Sequence, residues 1–137
     1  MITLSNIHQF TDEQIFDEVE RLLLLQGTKS VSSTITNSRC LYNDGQGNKC
    51  AVGLLMDRYD PSFECNTLWK VISCAWPNAQ CKYSLLRLLQ HIHDFYPEEE
   101  WQNTFSIVRN ILFKNSTFWT DAALDERIRE YKNDHTK

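Results

Sequence analysis

The sequence predicts a mainly α domain of about five helices with one short β-hairpin. Three observations carry that reading. Apolar residues recur at helical spacing from Asn66 almost to the C-terminus, and a capped amphipathic segment opens at Thr11. Between Cys40 and Cys50 lies a turn-rich stretch with the composition of a tight strand connection. At 137 residues, with 42% hydrophobic and 12% aromatic content, the chain suits a single globular domain over residues 1–137, ordered across 10–131.

Thr11 caps the first helix and Gln14 stands in the capping-box position. Ile15, Phe16, Val19, Leu22 and Leu23 form its buried face, and Gly27 stops it. Thr28 to Arg39, rich in Ser, Thr, Lys and Asn, reads as a loop with at most a short edge strand. Asn43-Asp44-Gly45-Gln46-Gly47-Asn48 tolerates positive φ throughout. It joins Cys40-Leu41-Tyr42 to Lys49-Cys50-Ala51 as the tip of the hairpin. Gly53 then precedes Leu54, Leu55 and Met56, which are expected in the core, and Arg58 to Ser62 makes a further turn.

A second helix carries Leu68, Trp69, Val71, Ile72 and Ala75 on one face and ends before Pro77. The third carries Leu85, Leu86, Leu88, Leu89, Ile92 and Phe95 and stops before Pro97. Pro97-Glu98-Glu99-Glu100 starts the fourth, with its carboxylates complementing the helix dipole. Trp101, Phe105, Val108, Ile111 and Leu112 line that helix, and Asn115 to Thr117 breaks it. Leu124, Ile128 and Tyr131 mark a last amphipathic helix with a mixed-sign polar face from Asp125 to Glu130. Lys132 to Lys137 reads as a frayed tail.

A net charge of −4 and a pI near 5.5, without any basic run, argue against a general nucleic-acid surface. The longest apolar run, Leu22 to Leu25, is too short to span a bilayer. The N-terminus lacks the basic and apolar regions of a signal peptide, so a cytoplasmic location is expected. The five cysteines then read as reduced thiols, most of them small buried hydrophobes.

Candidate chemistry gathers around a few residues. Cys50 precedes small residues that suit a helix start, and His93 with Asp94 would supply a base and its orienting carboxylate. Against this, neighbours on a helix diverge by about 100°, which places Asp94 poorly for the His93 ring. A metal site would draw on Cys40, Cys50 and His91 or His93. The intervals Cys40-x9-Cys50, Cys65-x8-Cys74 and Cys74-x6-Cys81 lack the tight pairs of structural zinc. A Cys40–Cys50 disulfide suits cross-strand neighbours, and a reducing compartment keeps it open. Gly45, Gly47 and Gly53 form no phosphate loop, and no cofactor is expected. For a protein partner the candidate contacts are Tyr42, Asn43, Asp44, Gln46, Asn48 and Lys49 at the tip, with Trp76 and Trp119 as exposed anchors.

Several of these residues stand in an order with a counterpart elsewhere. Gln26-Gly27, Cys40-x-Tyr42, Gly47-x-Lys49-Cys50-Ala51-Val52-Gly53, Tyr59-Asp60-Pro61, Leu88-x-Gln90-x-x-His93-Asp94 and Trp101 follow one another in this chain. In this the chain resembles a group of small bacteriophage and mobile-element proteins, over the span from Gln26 to Leu112. Leu54 departs from a cysteine that often follows the glycine, and Met56-Asp57 departs from Ile-Pro-Asp. Both departures count against a joint metal site. The resemblance implies an accessory protein of the bacterial cytoplasm that binds a host or phage protein, without a membrane and with homo-oligomerisation left open. Two alternatives stand beside it: a small cysteine hydrolase or thiol enzyme using Cys50 and His93, and a structural zinc module.

Overall fold

The computed structural model describes residues 1–31, 40–115 and 121–135. Among them are five α-helices: α1 (Asp12–Gln26), α2 (Leu68–Ala75), α3 (Tyr83–Phe95), α4 (Trp101–Asn115) and α5 (Asp121–His135). Short 3-10 turns fill the connections, including Gly53–Leu55, Pro61–Cys65, Pro77–Lys82 and Glu98–Glu100. Most of the expected Thr28–Arg39 loop, most of the break at Asn115–Thr117, and Trp119 lie outside the described residues. None of the described helices is long and apolar enough to cross a membrane.

The first helix forms as its sequence dictates. Thr11 Oγ1 accepts from the Gln14 amide at 3.1 Å, and the Thr11 amide donates to Gln14 Oε1 at 2.9 Å, which closes the capping box. Gly27 ends the helix at φ 72°, a left-handed conformation that glycine adopts without steric cost. The buried face of α1 packs against α3 and α4, and α4 packs in turn against α5. Phe16 sits at this junction with its ring edge-on to Phe105 and Phe113, both at 5.5 Å. The Arg109 guanidinium lies over Phe16 and pairs with Asp17 and Glu20, tying α4 to α1.

The structure differs from the sequence expectation in several places. The hairpin is absent among the described residues: only isolated antiparallel bridges form, Val31 with Cys40 and Asn43 with Lys49. The chain does reverse where expected, with Gly45 and Gly47 at φ 76° and 93°. The Cys50 amide reaches across to the Tyr42 carbonyl at 3.3 Å, but no ladder follows, because the Tyr42 amide and both backbone groups of Lys49 bond to the side chains of Glu64 and Gln26 instead. Trp69 is 48% exposed and packs edge-on against Tyr83, while Phe95 is 72% exposed. Helical spacing placed both in the core, but each falls at the margin of its helix's buried stripe. The fourth helix begins as a 3-10 turn at Glu98–Glu100 before α4 proper, and α5 stays helical as far as His135.

Candidate functional site

Between Gln26 and Leu68 the described chain contains no α-helix, so its backbone groups must find other partners. Three helix-borne or turn-borne side chains supply them. Gln26, at the end of α1, donates from Nε2 to the carbonyls of Thr28 and Lys49, and its Oε1 accepts from the Lys49 amide at 3.0 Å. Glu64 accepts from the amides of Tyr42 and Asn43 at 3.0 and 3.2 Å, and from the Tyr59 hydroxyl at 2.5 Å. Gln90, on α3, accepts from the Val52 amide at 3.2 Å and donates to Asp94 Oδ1 at 2.9 Å. Each side chain stands in for the strand partner that a ladder would have provided.

Close approach completes the clamp. Gly53 lies so near Tyr42 that a Cβ there would sit 2.0 Å from the Tyr42 carbonyl oxygen and 2.9 Å from its carbon. Only glycine fits, which explains why the small-residue run after Cys50 ends as it does.

Inside this frame the fold brings Cys40, His93 and Asp94 together, with potential ligand atoms all within 4.8 Å of one another. Cys50 and His91 are not part of that group. His93 is fully buried, stacked on Trp101 at 5.6 Å, and both its ring nitrogens are engaged. Nδ1 lies 2.7 Å from Asp94 Oδ1, and Nε2 accepts from the Ser30 amide at 3.2 Å. Asp94 therefore does orient the His93 ring, contrary to the helical-wheel expectation. The 100° divergence separates Cα–Cβ directions, but a ring nitrogen and a carboxylate on adjacent residues can still fold back on each other.

The Ser30 amide has a chemical consequence. An N–H aimed at Nε2 requires a lone pair there, so the neutral ring carries its proton on Nδ1 and donates it to Asp94. A metal bound through Nδ1 would move that proton to Nε2 and set it against the Ser30 N–H. The group is thus built as a hydrogen-bond network and fits a metal poorly.

The thiols are held in their protonated form. Burial, followed by the charge of Asp94 and a hydrogen bond to it, pushes the Cys40 thiol from 9.0 up to about 12. Burial also pushes Cys50 well up from its ordinary value, and its Sγ accepts from the Gly53 amide at 3.3 Å. Lys29 pulls the Cys40 value down, but burial and Asp94 outweigh it, so neither thiol is shifted toward thiolate as an activated nucleophile would be. Cys65, Cys74 and Cys81 are exposed and free.

A cleft of about 440 Å³ opens beside the group, lined by Cys40, Tyr42, Glu64, Cys65, Gln90 and Asp94 among others. The tip, outside this lining, forms a closed unit. Asp44 Oδ1 accepts from the amides of Gln46 and Asn48 at 2.7 and 3.1 Å, Oδ2 accepts from the Asn48 side chain, and Asn43 Oδ1 accepts from the Gly45 amide. Burial pushes the Asp44 carboxyl up, but these hydrogen bonds outweigh it and hold the group below the usual carboxylate range. Gly45, Gln46 and Gly47 are exposed, while Tyr42, Asn43, Asp44, Asn48 and Lys49 are half-buried.

Two other candidates sit apart. Trp76 is 4% exposed, not an open anchor: its indole N–H donates to Asp57 at 2.8 Å, and the Arg58 guanidinium covers its ring. His91 faces α5, with Nε2 2.9 Å from Asp125. Sequence reasoning missed Gln26, Glu64 and Gln90 as organisers. Their long-range main-chain partners lie 23, 21–22 and 38 residues away, and no local pattern reports such pairings. Neither a protein-family model, a curated protein nor a solved structure matches this chain.

Proposed function

We propose that the protein is a non-enzymatic binding or regulatory protein that meets a protein partner through the tip Asn43–Asn48 and the flanking Tyr42 and Lys49. The observation that carries this reading is the way the tip is held. It projects exposed residues, closes on itself through Asp44, and is clamped at its two arms by Glu64 and Gln26. A loop already fixed in one shape loses little conformational freedom on binding, which favours recognition. The partner class implied by the phage resemblance is a host or phage protein in the bacterial cytoplasm.

A thiol enzyme is the weaker reading, since the thiol beside His93 is Cys40 and it stays protonated next to a carboxylate. A photo-crosslinking residue at Gln46 tests the main proposal in bacterial cells. One specific protein should be captured, and capture should be lost when Asp44→Ala unlocks the tip in the same chain. The Asp44→Ala variant must keep its helical circular dichroism. Equal capture by both proteins, or no capture at all, would sink the idea.

A further inference from the structure

A second surface lies on another flank of α3, about 100° round the helix from Gln90 and Asp94. Phe95, Tyr96, Asp125, Ile128, Arg129 and Lys132 line a pocket of about 360 Å³ between the end of α3 and α5. That size is at the lower end of ligand pockets, which span about 300–1,000 Å³. Its apolar wall is Phe95, which is 72% exposed, together with the Tyr96 ring and the Ile128 side chain. Phe95 is not loosely presented, because the His91 ring lies against it at 4.6 Å.

The polar side of the pocket is unevenly satisfied. Asp125 is turned inward and accepts from the Tyr96 hydroxyl at 2.6 Å, with His91 Nε2 at 2.9 Å. Lys132 bonds Glu100 at 3.2 Å and lies over the Tyr96 ring. Arg129 is exposed and has no hydrogen bond or ion pair among the described residues. This sets it apart. Arg21 pairs with Glu18, Arg58 with the Ala75 carbonyl, Arg109 with Asp17 and Glu20, Arg127 with Glu130, and Arg87 is also engaged. In a chain of net charge −4, an unpaired guanidinium beside an exposed aromatic ring is a local feature and not part of a basic surface.

We infer that this pocket docks an acidic segment of a partner protein, one that sets an aromatic side chain on Phe95 and Tyr96 and a neighbouring carboxylate on Arg129. A guanidinium offers a planar fork of donors that matches a carboxylate in two parallel hydrogen bonds. One free cation suits a single carboxylate; a nucleic-acid backbone would need a row of them. The aromatic rings supply the apolar contact that a carboxylate alone would lack. This inference goes beyond the tip reading and does not depend on it.

The test is a heteronuclear NMR titration of the full ¹⁵N-labelled chain. The probes are two acetylated, amidated peptides, one alternating glutamate with phenylalanine and the other alternating lysine with phenylalanine. The acidic peptide should give saturable shifts at Phe95, Tyr96 and the Ile128–Lys132 amides, weakening as salt rises. Arg129→Glu should lower its affinity by about tenfold or more, the loss expected of a charge-assisted contact. Phe95→Ala should weaken it as well, and Gln46→Arg at the tip should leave it unchanged. Both altered pocket residues are exposed, and an unchanged melting temperature confirms that each variant folds. Equal binding of the basic peptide, shifts located elsewhere, or no saturation would overturn the inference. It would also be overturned if phenylpropionate alone bound as tightly as the acidic peptide. A Phe95-dependent dimer in sedimentation would do the same, since a second copy would then be the occupant.

Discussion

The reactivity of Cys40 is the sharpest consequence of the network around Asp94. Its thiol is raised from 9.0 to about 12, first by burial and then by Asp94. At about pH 8 the native thiolate population is then about a thousandfold below that of the same residue in the unfolded chain. A more basic thiolate is the better nucleophile, and a Brønsted slope of about 0.4–0.5 returns about twentyfold of that loss. Cys40 in the native protein should therefore react with an aromatic disulfide reagent about fiftyfold more slowly than in the urea-unfolded chain, before any steric protection is counted. The assay is a timed labelling at about pH 8, quenched with acid and read site by site from peptide masses, with exposed Cys65, Cys74 and Cys81 as internal references. Asp94→Asn removes the charge but keeps the shape, so Cys40 should label several times faster in that variant. If native Cys40 labels as fast as the unfolded chain, or faster, the thiol is activated. The argument against a thiol enzyme would then fail.

Three further outcomes follow from the same geometry. The folded Cys50 thiol is raised above its ordinary 9.0, so its contribution to stability is complete below about pH 9 and is lost as pH climbs toward the folded value. Urea unfolding between about pH 9 and 10 should show stability falling with a slope approaching about 1.4 kcal/mol per pH unit from this group and as much again from Cys40, so Cys50→Ala should remove about half of the thiol-dependent slope. Gly53→Ala drives a Cβ into the Tyr42 carbonyl and breaks the Cys50 amide's bond to that oxygen. Overpacking and the lost bond together should cost about 3 kcal/mol, lowering the melting temperature by about 10 °C; a change under about 1 kcal/mol would contradict the clamp. Glu64→Gln replaces an acceptor with an N–H₂ that faces the donors of Asn43 and Tyr59, at a cost of about 1–3 kcal/mol. Hydrogen exchange should speed up at the Tyr42 and Asn43 amides and leave α4 unchanged.

The helical frame was legible because its information is local. The Thr11–Gln14 box, the Gly27 stop and the apolar faces of α1, α3, α4 and α5 all depend on residues within a few positions of each other. Trp69, Phe95 and Trp76 show where that logic ends. Periodicity places a residue on a face, but what covers the face comes from distant segments. Trp76 is sealed by Arg58 and Asp57, whereas nothing in the pattern tells that Phe95, at the end of α3, stays largely uncovered. The hairpin was misread for a related reason. Turn chemistry at Asn43–Asn48 correctly reverses the chain, but whether two arms form a ladder depends on competing partners. Here Gln26 and Glu64 win that competition through contacts more than twenty residues long in sequence.

The same reasoning explains why residues that look catalytic in the sequence are arranged as they are. A histidine followed by an aspartate near a cysteine can serve as a nucleophile's base, a metal ligand or a structural knot, and side-chain identity does not distinguish the three. The deciding group is a backbone amide, that of Ser30, which no sequence motif reports. Its N–H fixes the lone pair on Nε2 of His93, which places the proton on Nδ1. That proton needs an acceptor, and the one within reach is Asp94, held in turn by Gln90. A carboxylate so placed lies against Cys40 and adds to burial, the larger cause, in raising its thiol. One main-chain donor thus disfavours metal through Nδ1 and favours the carboxylate arrangement that suppresses the thiolate. These contacts form a polar knot joining α3 to two points of the irregular segment, Ser30 through His93 and Val52 through Gln90. These side chains hold the irregular segment against α3, and Gly45, Gln46 and Gly47 at the tip are among its exposed residues.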